Sequence, residues 1–170
     1  MIEFKKATPD QIDVLQTISL ETFRHSFYHL NTPENYELYV SKALTKDTLA
    51  LELVQPTSEF YFGYSGHSIV CYFKINHKVN SHDEYDPTSI ELQRIYVLPT
   101  YLAQGIGVQM IEFIKNYSRQ AGYQSLWLGV WEHNLRAVQF YKRQGFIQVG
   151  VHQFMLGQEE QTDLLMECKL

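Results

Sequence analysis

Cysteine is nearly absent: the 170-residue chain has two, Cys71 and Cys168, far apart and in no Cys-x-x-Cys or Cys/His cluster. That excludes a disulfide framework and a structural zinc site, and leaves both thiols as core residues. The seven histidines (His25, His29, His67, His77, His82, His133 and His152) lack metal-ligand spacing, so no metal is expected. Lysine and arginine form no run and the formal charge is −5. A nucleic-acid partner is therefore not expected, because binding one needs clustered cations to neutralise phosphates. No apolar run approaches the roughly 20 residues of a membrane span. Met1 to Lys6 lacks the long apolar segment of a signal peptide. The expectation is a cytoplasmic protein with no membrane partner. Repeats, low-complexity tracts and Pro/Gly/Ser-rich linkers are also missing, so residues 1–170 read as one domain.

What is present describes a globular chain. Hydrophobic residues make up 45% and charged residues 19%, enough apolar material for a real core. The acidic balance suits a cationic substrate, whose local concentration it raises. Ile2 to Lys6 reads as a strand. Thr8-Pro9-Asp10-Gln11 starts a helix, with a hydroxyl cap, Pro in the first turn and Gln11 closing a capping box. Ile12, Leu15, Ile18, Thr22 and Phe23 continue at helical spacing. Thr32 caps a further helix, and Leu38, Leu44, Leu49 and Leu53 mark two short pieces before Pro56.

From Glu59 the period becomes that of strands, with aromatic and β-branched runs around a Ser65-Gly66 turn. His77 to Thr88 is polar and reads as a loop; Glu91 to Val97 is a strand. A helix to about Ala121, a strand from Ser125 to Val130 and an Asn134-capped helix to Gln144 follow. Strands near 146–154 and 162–168 close the chain. Helices thus precede and interrupt a mostly β chain, which predicts a mixed α/β or α+β sheet.

Two segments carry chemistry. In the first, Ile95-Tyr96-Val97 leads through Leu102-Ala103-Gln104-Gly105-Ile106-Gly107-Val108 into a helix with buried positions Ile106, Met110, Phe113, Ile114 and Tyr117. A helix's first turn offers unpaired N–H groups and partial positive charge to an anion. Gly105 and Gly107 have no side chains to hold a pyrophosphate away. No Gly-Lys-Ser/Thr follows, so this is no Walker loop. Met110 stands where a dinucleotide fingerprint needs a third glycine.

In the second, the strand Trp127-Leu128-Gly129-Val130-Trp131 precedes Asn134-x-x-Ala137-x-x-x-Tyr141-x-x-x-Gly145-Phe146. Asn134, Ala137 or Val138, and Tyr141 share one helix face, spread over about 10 Å. That suits an extended ligand arm.

Together the two segments resemble the acetyl-CoA elements of the GNAT acetyltransferases: Arg/Gln-x-x-Gly-x-Gly/Ala after a strand, then Asn-x-x-Ala-x-x-x-Tyr-x-x-x-Gly-Phe. Leu102 departs from the pattern at its Arg/Gln position, which implies a modest loss of cofactor affinity, since backbone N–H groups do most of the work there. The resemblance implies a mostly antiparallel sheet of about six to seven strands flanked by helices, and acetyl-CoA as cosubstrate. Its contacts would be Ile95, Tyr96 and Val97, Leu102 to Val108, Asn134, Ala137 and Tyr141. Glu21-Thr22-Phe23, Asn31 to Asn35, Arg94-Ile95-Tyr96, Trp127 to Glu132 and Glu159 to Asp163 look like the bacterial spermidine/spermine N-acetyltransferases of the PaiA type.

Those enzymes imply a small amine as partner, a polyamine above all, and leave a homodimer open. No Cys or Ser sits beside a clear base, which favours direct attack of the amine over an acyl-enzyme. The resemblance places Tyr141 near the thioester sulfur as acid, and Glu91 at the position of the catalytic glutamate of histone-acetylating relatives. By strand alternation Glu91, Gln93, Ile95 and Val97 are expected on one face. Glu21 and Glu34 are candidate contacts for the distal ammonium groups of a polyamine. Acceptors of other kinds (a protein N-terminus, a lysine, an aminoglycoside) and a non-catalytic acyl-CoA sensor are the competing readings.

Overall fold

The structure, a computed structural model, describes residues 1–77, 80–81 and 84–170, with side chains outside residues 78–85. His82 lies outside the described residues. In chain order the elements are β1 (Glu3–Lys6), α1 (Ile12–Phe27), α2 (Pro33–Ala43), α3 (Lys46–Val54), β2 (Ser58–Ser65), β3 (Ser68–His77), β4 (Asn80–Ser81), β5 (Glu84–Tyr85), β6 (Ser89–Val97), α4 (Ile106–Gln120), β7 (Ser125–Trp131), α5 (Leu135–Arg143), β8 (Ile147–Leu156) and β9 (Glu159–Lys169). Seven strands form one sheet in the order β1-β2-β3-β6-β7-β9-β8, antiparallel except for the parallel pair β6/β7. The fold is the mixed α/β sheet expected from the element pattern. The stretch from His77 to Thr88 is not all loop, since β4 pairs with β5 there.

Local signals set many boundaries. Gln11 Oε1 accepts from the Thr8 N–H at 3.1 Å, and Pro9 opens a 3-10 turn that leads into α1. Thr32 and Asn134 cap α2 and α5 by accepting from the N–H groups of Asn35 and Ala137. Gly122 and Gly145, at φ near +85°, follow the ends of α4 and α5, a conformation that costs glycine little and other residues more.

Each sheet face has its own core. Against one face pack Ile106, Met110, Ile111 and Ile114 of α4 with Leu126, Leu128 and Val130 of β7; Cys71 and Cys168 lie here as buried free thiols. Burial pushes the Cys71 thiol up to about 12, so it is inert. Against the other face pack Leu15, Ile18 and Phe23 of α1, Tyr36 of α2 and Leu49 of α3, over Phe60, Phe62 and Tyr72.

The alternation expected along β6 is broken. Lys74 pairs with Arg94 but Ile75 with Leu92, so Gln93 is an extra residue, a β-bulge. Ile90 and Leu92 before the bulge, and Ile95 and Val97 after it, all belong to the α4-side core, while Tyr96 packs with the α1 side. Glu91 therefore does not share a face with Ile95 and Val97. Its carboxylate lies on the α1 side, bonded to Asn76.

Candidate active site

β6 and β7 are bonded for only three rungs, Ser89/Ser125, Ile90/Leu126 and Glu91/Trp127. Beyond them β6 stays paired to β3 as far as Val97, and β7 stays paired to β9 as far as Trp131. The two strands part, leaving facing edges inside the sheet whose backbone groups are open to a ligand. The bulge at Gln93 is the local cause, since it bends β6 and increases its twist just past the last rung. A cavity of 1280 Å³ occupies this split.

The cavity is lined by Ile95, Tyr96, Val97, Leu102, Ala103, Gly105 to Val108, Asn134, Ala137 and Tyr141. Of the cofactor residues expected from sequence only Gln104 is missing; its side chain turns back to bond the Thr100 carbonyl at 3.2 Å. Gly105 caps α4 at φ 75°, and Ala103 also has positive φ, 62°. The first intrahelical bond is Gln109 N–H to Gly105 C=O at 3.3 Å. The N–H groups of Ile106, Gly107 and Val108 precede it and receive no capping side chain. Uncapped N–H groups at a helix start are suited to an anion.

Gly107 has a packing role in the structure beside the one expected from sequence. A Cβ there would stand 3.2 Å from Cζ of Phe140, so the glycine allows α4 and α5 to pack closely. A larger residue would require the Phe140 ring to shift.

Tyr141 is buried between Phe140 and Phe146, with ring centroids 5.3 and 5.7 Å away, and burial holds its phenol well above the ordinary tyrosine range. Among the described residues its hydroxyl has no hydrogen-bond partner. On the opposite sheet face, Glu91 Oε2 accepts from Asn76 Nδ2 at 2.7 Å, and Asn76 Oδ1 accepts from the Ser58 hydroxyl at 2.7 Å. This chain orients the carboxylate. Burial raises the Glu91 carboxyl above its usual value, against the hydrogen bond from Asn76 and the charges of Lys74 and Arg94.

Asp163 is the acidic residue that sequence reasoning missed. It lines the same cavity, on β9 opposite Trp131 and His152. Burial pushes its carboxyl up to about 6, and His152 pulls the other way. Its place in the acidic run Glu159 to Asp163 gave no hint, because only strand register shows which face it takes. Glu21 and Glu34 do not line the cavity. Glu21 borders a shallower groove of 390 Å³ that shares His25 and His29 with it. Glu34 is exposed in the first turn of α2.

Among the described residues no cluster of His, Cys, Asp and Glu could hold a metal ion, and no helix is long and apolar enough to cross a membrane.

The sheet is thus split between its parallel strands, with uncapped helix N–H groups on one face and an oriented carboxylate on the other. Residues 20–146 match the acetyltransferase (GNAT) family. An uncharacterised N-acetyltransferase of Lactobacillus delbrueckii subsp. lactis is 36% identical over 153 residues, 90% of this chain and 88% of the relative. The chain belongs to the GNAT family, the class of acetyl-CoA-dependent N-acetyltransferases. Among solved structures, the PaiA N-acetyltransferase of Thermoplasma acidophilum in complex with coenzyme A superposes with a TM-score of 0.79 at 19% identity, covering 100% of this chain and 99% of that one. The ribosomal-protein-S18-alanine N-acetyltransferase of Escherichia coli gives 0.74 at 15%, covering 99% and 94%. At these identities both show a shared fold.

Proposed function

We propose that the protein transfers acetyl from acetyl-CoA to a primary amine of a small molecule, with a polyamine as acceptor, by direct attack. The observation that carries this reading is the arrangement of the split, with Tyr141 on one face of the sheet and the oriented Glu91 on the other. Acetyl-CoA, when bound, supplies the activated acyl group as a thioester. The N–H groups of Ile106, Gly107 and Val108 suit its pyrophosphate, and Asn134, Ala137 and Tyr141 suit its arm. Asn134 uses Oδ1 to cap α5, so Nδ2 is the donor left for a ligand. The freed β6 edge at Ile95 to Val97 offers backbone N–H to the carbonyl oxygen.

Glu91 accepts the proton of the attacking ammonium, directly or through a water. The nitrogen forms the new C–N bond as the C–S bond breaks, and Tyr141 donates a hydrogen bond to the sulfur that leaves as thiolate. Arg94, Arg136 and Arg143 also line the cavity, but Arg94 is paired with Glu52 and the other two lie on α5, which leaves Glu91 and Asp163 as the charges to meet a cationic acceptor. Glu21, in the adjoining groove, is the candidate for a distal ammonium of a long polyamine; Glu34 stands too far out for that task. Turnover with spermidine, a monoamine and a lysine peptide tests the acceptor. Equal efficiency for all three removes the polyamine and leaves the acetyltransferase.

Acetyl-CoA at 100 times its dissociation constant should stabilise the fold by about 2.7 kcal/mol. Val108→Pro removes one donor at the start of α4 where proline is tolerated, in the first helical turn. A hydrogen bond to a charged group is worth ~1.5–3 kcal/mol, so the variant should bind acetyl-CoA about 10- to 100-fold more weakly. An unchanged affinity in titration calorimetry would place the pyrophosphate elsewhere.

Glu91→Gln should lower turnover with every amine, because the amide keeps the Asn76 bond but takes no proton. The wild-type rate should climb as pH rises through the raised Glu91 value, and the variant should lose that limb. Stability has the opposite sign. A carboxyl whose folded value is raised stabilises most below its unfolded value, near 4.3, and loses that contribution as pH rises through the folded one. Glu91→Gln should therefore melt no lower than wild type at pH 7. A variant that keeps full activity would show Glu91 to be structural.

A further inference from the structure

Asp163 is a charged side chain in a costly place. It lies across Gly129, where a Cβ would come within 3.3 Å of its Oδ2, so the glycine is what leaves room for the carboxylate. The β7 and β8 residues paired with it are Trp131 and His152. No salt bridge to a lysine or arginine is made by it among the described residues. The walls nearby are aromatic. Trp131 packs toward Phe27 of α1 at 6.5 Å between centroids, and Phe154 of β8 meets Tyr39 of α2 edge-on at 5.8 Å. All four residues line the cavity. A cavity that holds this carboxylate, with His152 as a charged neighbour, and is walled by indole and phenyl rings suits an alkylammonium group, which gains from the charge and from the ring quadrupoles alike.

Its position relative to the split matters as much. Trp127 makes the last rung with Glu91, and Asp163 sits beside Trp131, four residues further along β7 and one strand over. At about 3.3 Å per residue and 4.8 Å per strand, the Cα atoms of Glu91 and Asp163 are ~16 Å apart, and odd-numbered residues of β7 and β9 point to the same face as Glu91. The cavity therefore presents two separated carboxylates to one ligand, one at the split and one beyond it.

We propose that Asp163 anchors a second, non-reacting ammonium group of the acceptor, so that the site selects diamines and longer polyamines over monoamines. This rests on the amine-acetyltransferase reading and goes further by naming the residue that selects. Glu91 then receives the nitrogen that attacks, while Asp163 with Trp131 and Phe154 holds the nitrogen that stays charged.

The test is Asp163→Asn, which keeps size and the contact over Gly129 but removes the charge. Two measurements are made with a linear diamine and the monoamine of equal chain length: steady-state turnover at saturating acetyl-CoA, and calorimetric binding to the coenzyme A-loaded protein. The KM for the diamine should rise about 10-fold or more relative to that for the monoamine, with kcat changing less, since the lost contact serves ground and transition states alike. Diamine binding should weaken by a similar factor, while the melting temperature does not fall. If wild type and variant distinguish the two amines equally, the proposal is overturned even though acetyl transfer stands. If the diamine binds in an Asp163-dependent way but is not acetylated, the anchor stands and the proposed acceptor falls. If wild type binds neither amine, both are overturned.

Discussion

Tyr141→Phe should lower turnover about 100-fold or more, equivalent to ~2.7 kcal/mol of transition-state stabilisation, while acetyl-CoA affinity stays within a few-fold of wild type. The split between the two effects comes from the geometry. The ring packs between Phe140 and Phe146, and phenylalanine keeps that packing. Only the hydroxyl is lost, and it has no partner among the described residues whose loss would disturb the fold. A departing thiolate has an ordinary value near 8.5 and a tyrosine near 10, so complete proton transfer is uphill even in water. Burial raises the Tyr141 phenol further.

The hydroxyl therefore serves as a neutral donor whose hydrogen bond strengthens as charge grows on sulfur, in a site dry enough to make that bond count. It stays protonated across the working range, so no falling limb of the pH profile below about 10 should belong to it. Steady-state rates and titration with acetyl-CoA measure both quantities. A phenylalanine variant with wild-type turnover would reduce Tyr141 to a packing residue.

Glu52→Ala should destabilise the protein by about 3 kcal/mol, toward the low end of what breaking a buried ion pair costs. For a chain of this size that corresponds to a fall in melting temperature of roughly 6–12 °C. Glu52 of α3 receives a forked pair of bonds from Arg94, at 2.7 and 3.1 Å, and an ion pair from Lys74 at 3.1 Å. The Lys74 and Arg94 side chains are 4% and 11% exposed, and both cations flank the Phe60 ring, at 5.4 and 5.9 Å. Alanine would leave two cations without their carboxylate in a place water hardly reaches.

The 20% exposure of the Glu52 side chain is the reason for the lower figure. Glu52→Gln, which keeps a hydrogen-bonding group, should cost less. Arg94 directly follows the bulged Gln93, so the alanine variant should also loosen the bend that opens the split and weaken acetyl-CoA binding. Thermal melts with and without acetyl-CoA separate the two effects. A variant as stable as wild type would show that solvent had been screening the cluster.

Much of the cofactor side was legible in the residues themselves. The strand, glycine turn and helix around Gly105 form from short-range rules: φ at glycine, apolar spacing along α4, and unpaired N–H groups at a helix start. Asn134, Ala137 and Tyr141 share a face because a helix has a fixed period, whatever surrounds it. Thr8, Thr32 and Asn134 marked helix starts for equally local reasons.

The acceptor side was decided by tertiary structure. Simple alternation put Glu91 with Ile95 and Val97, but the bulge at Gln93 reverses the faces, and a bulge depends on pairing with β3 rather than on the β6 sequence alone. Asp163 entered the site, and Glu34 stayed out of it, because strand order brings β9 beside β7 while the start of α2 points to solvent. The packing of Gly107 against Phe140, 33 residues away in the chain, likewise depends on how α4 and α5 meet. The sequence by itself determined most of the elements, the helix start at Gly105 with its unpaired N–H groups and the face of α5, since those follow from contacts within a few residues. Which carboxylates meet across the cavity depends on register and packing between distant segments, and only the folded chain brings those together.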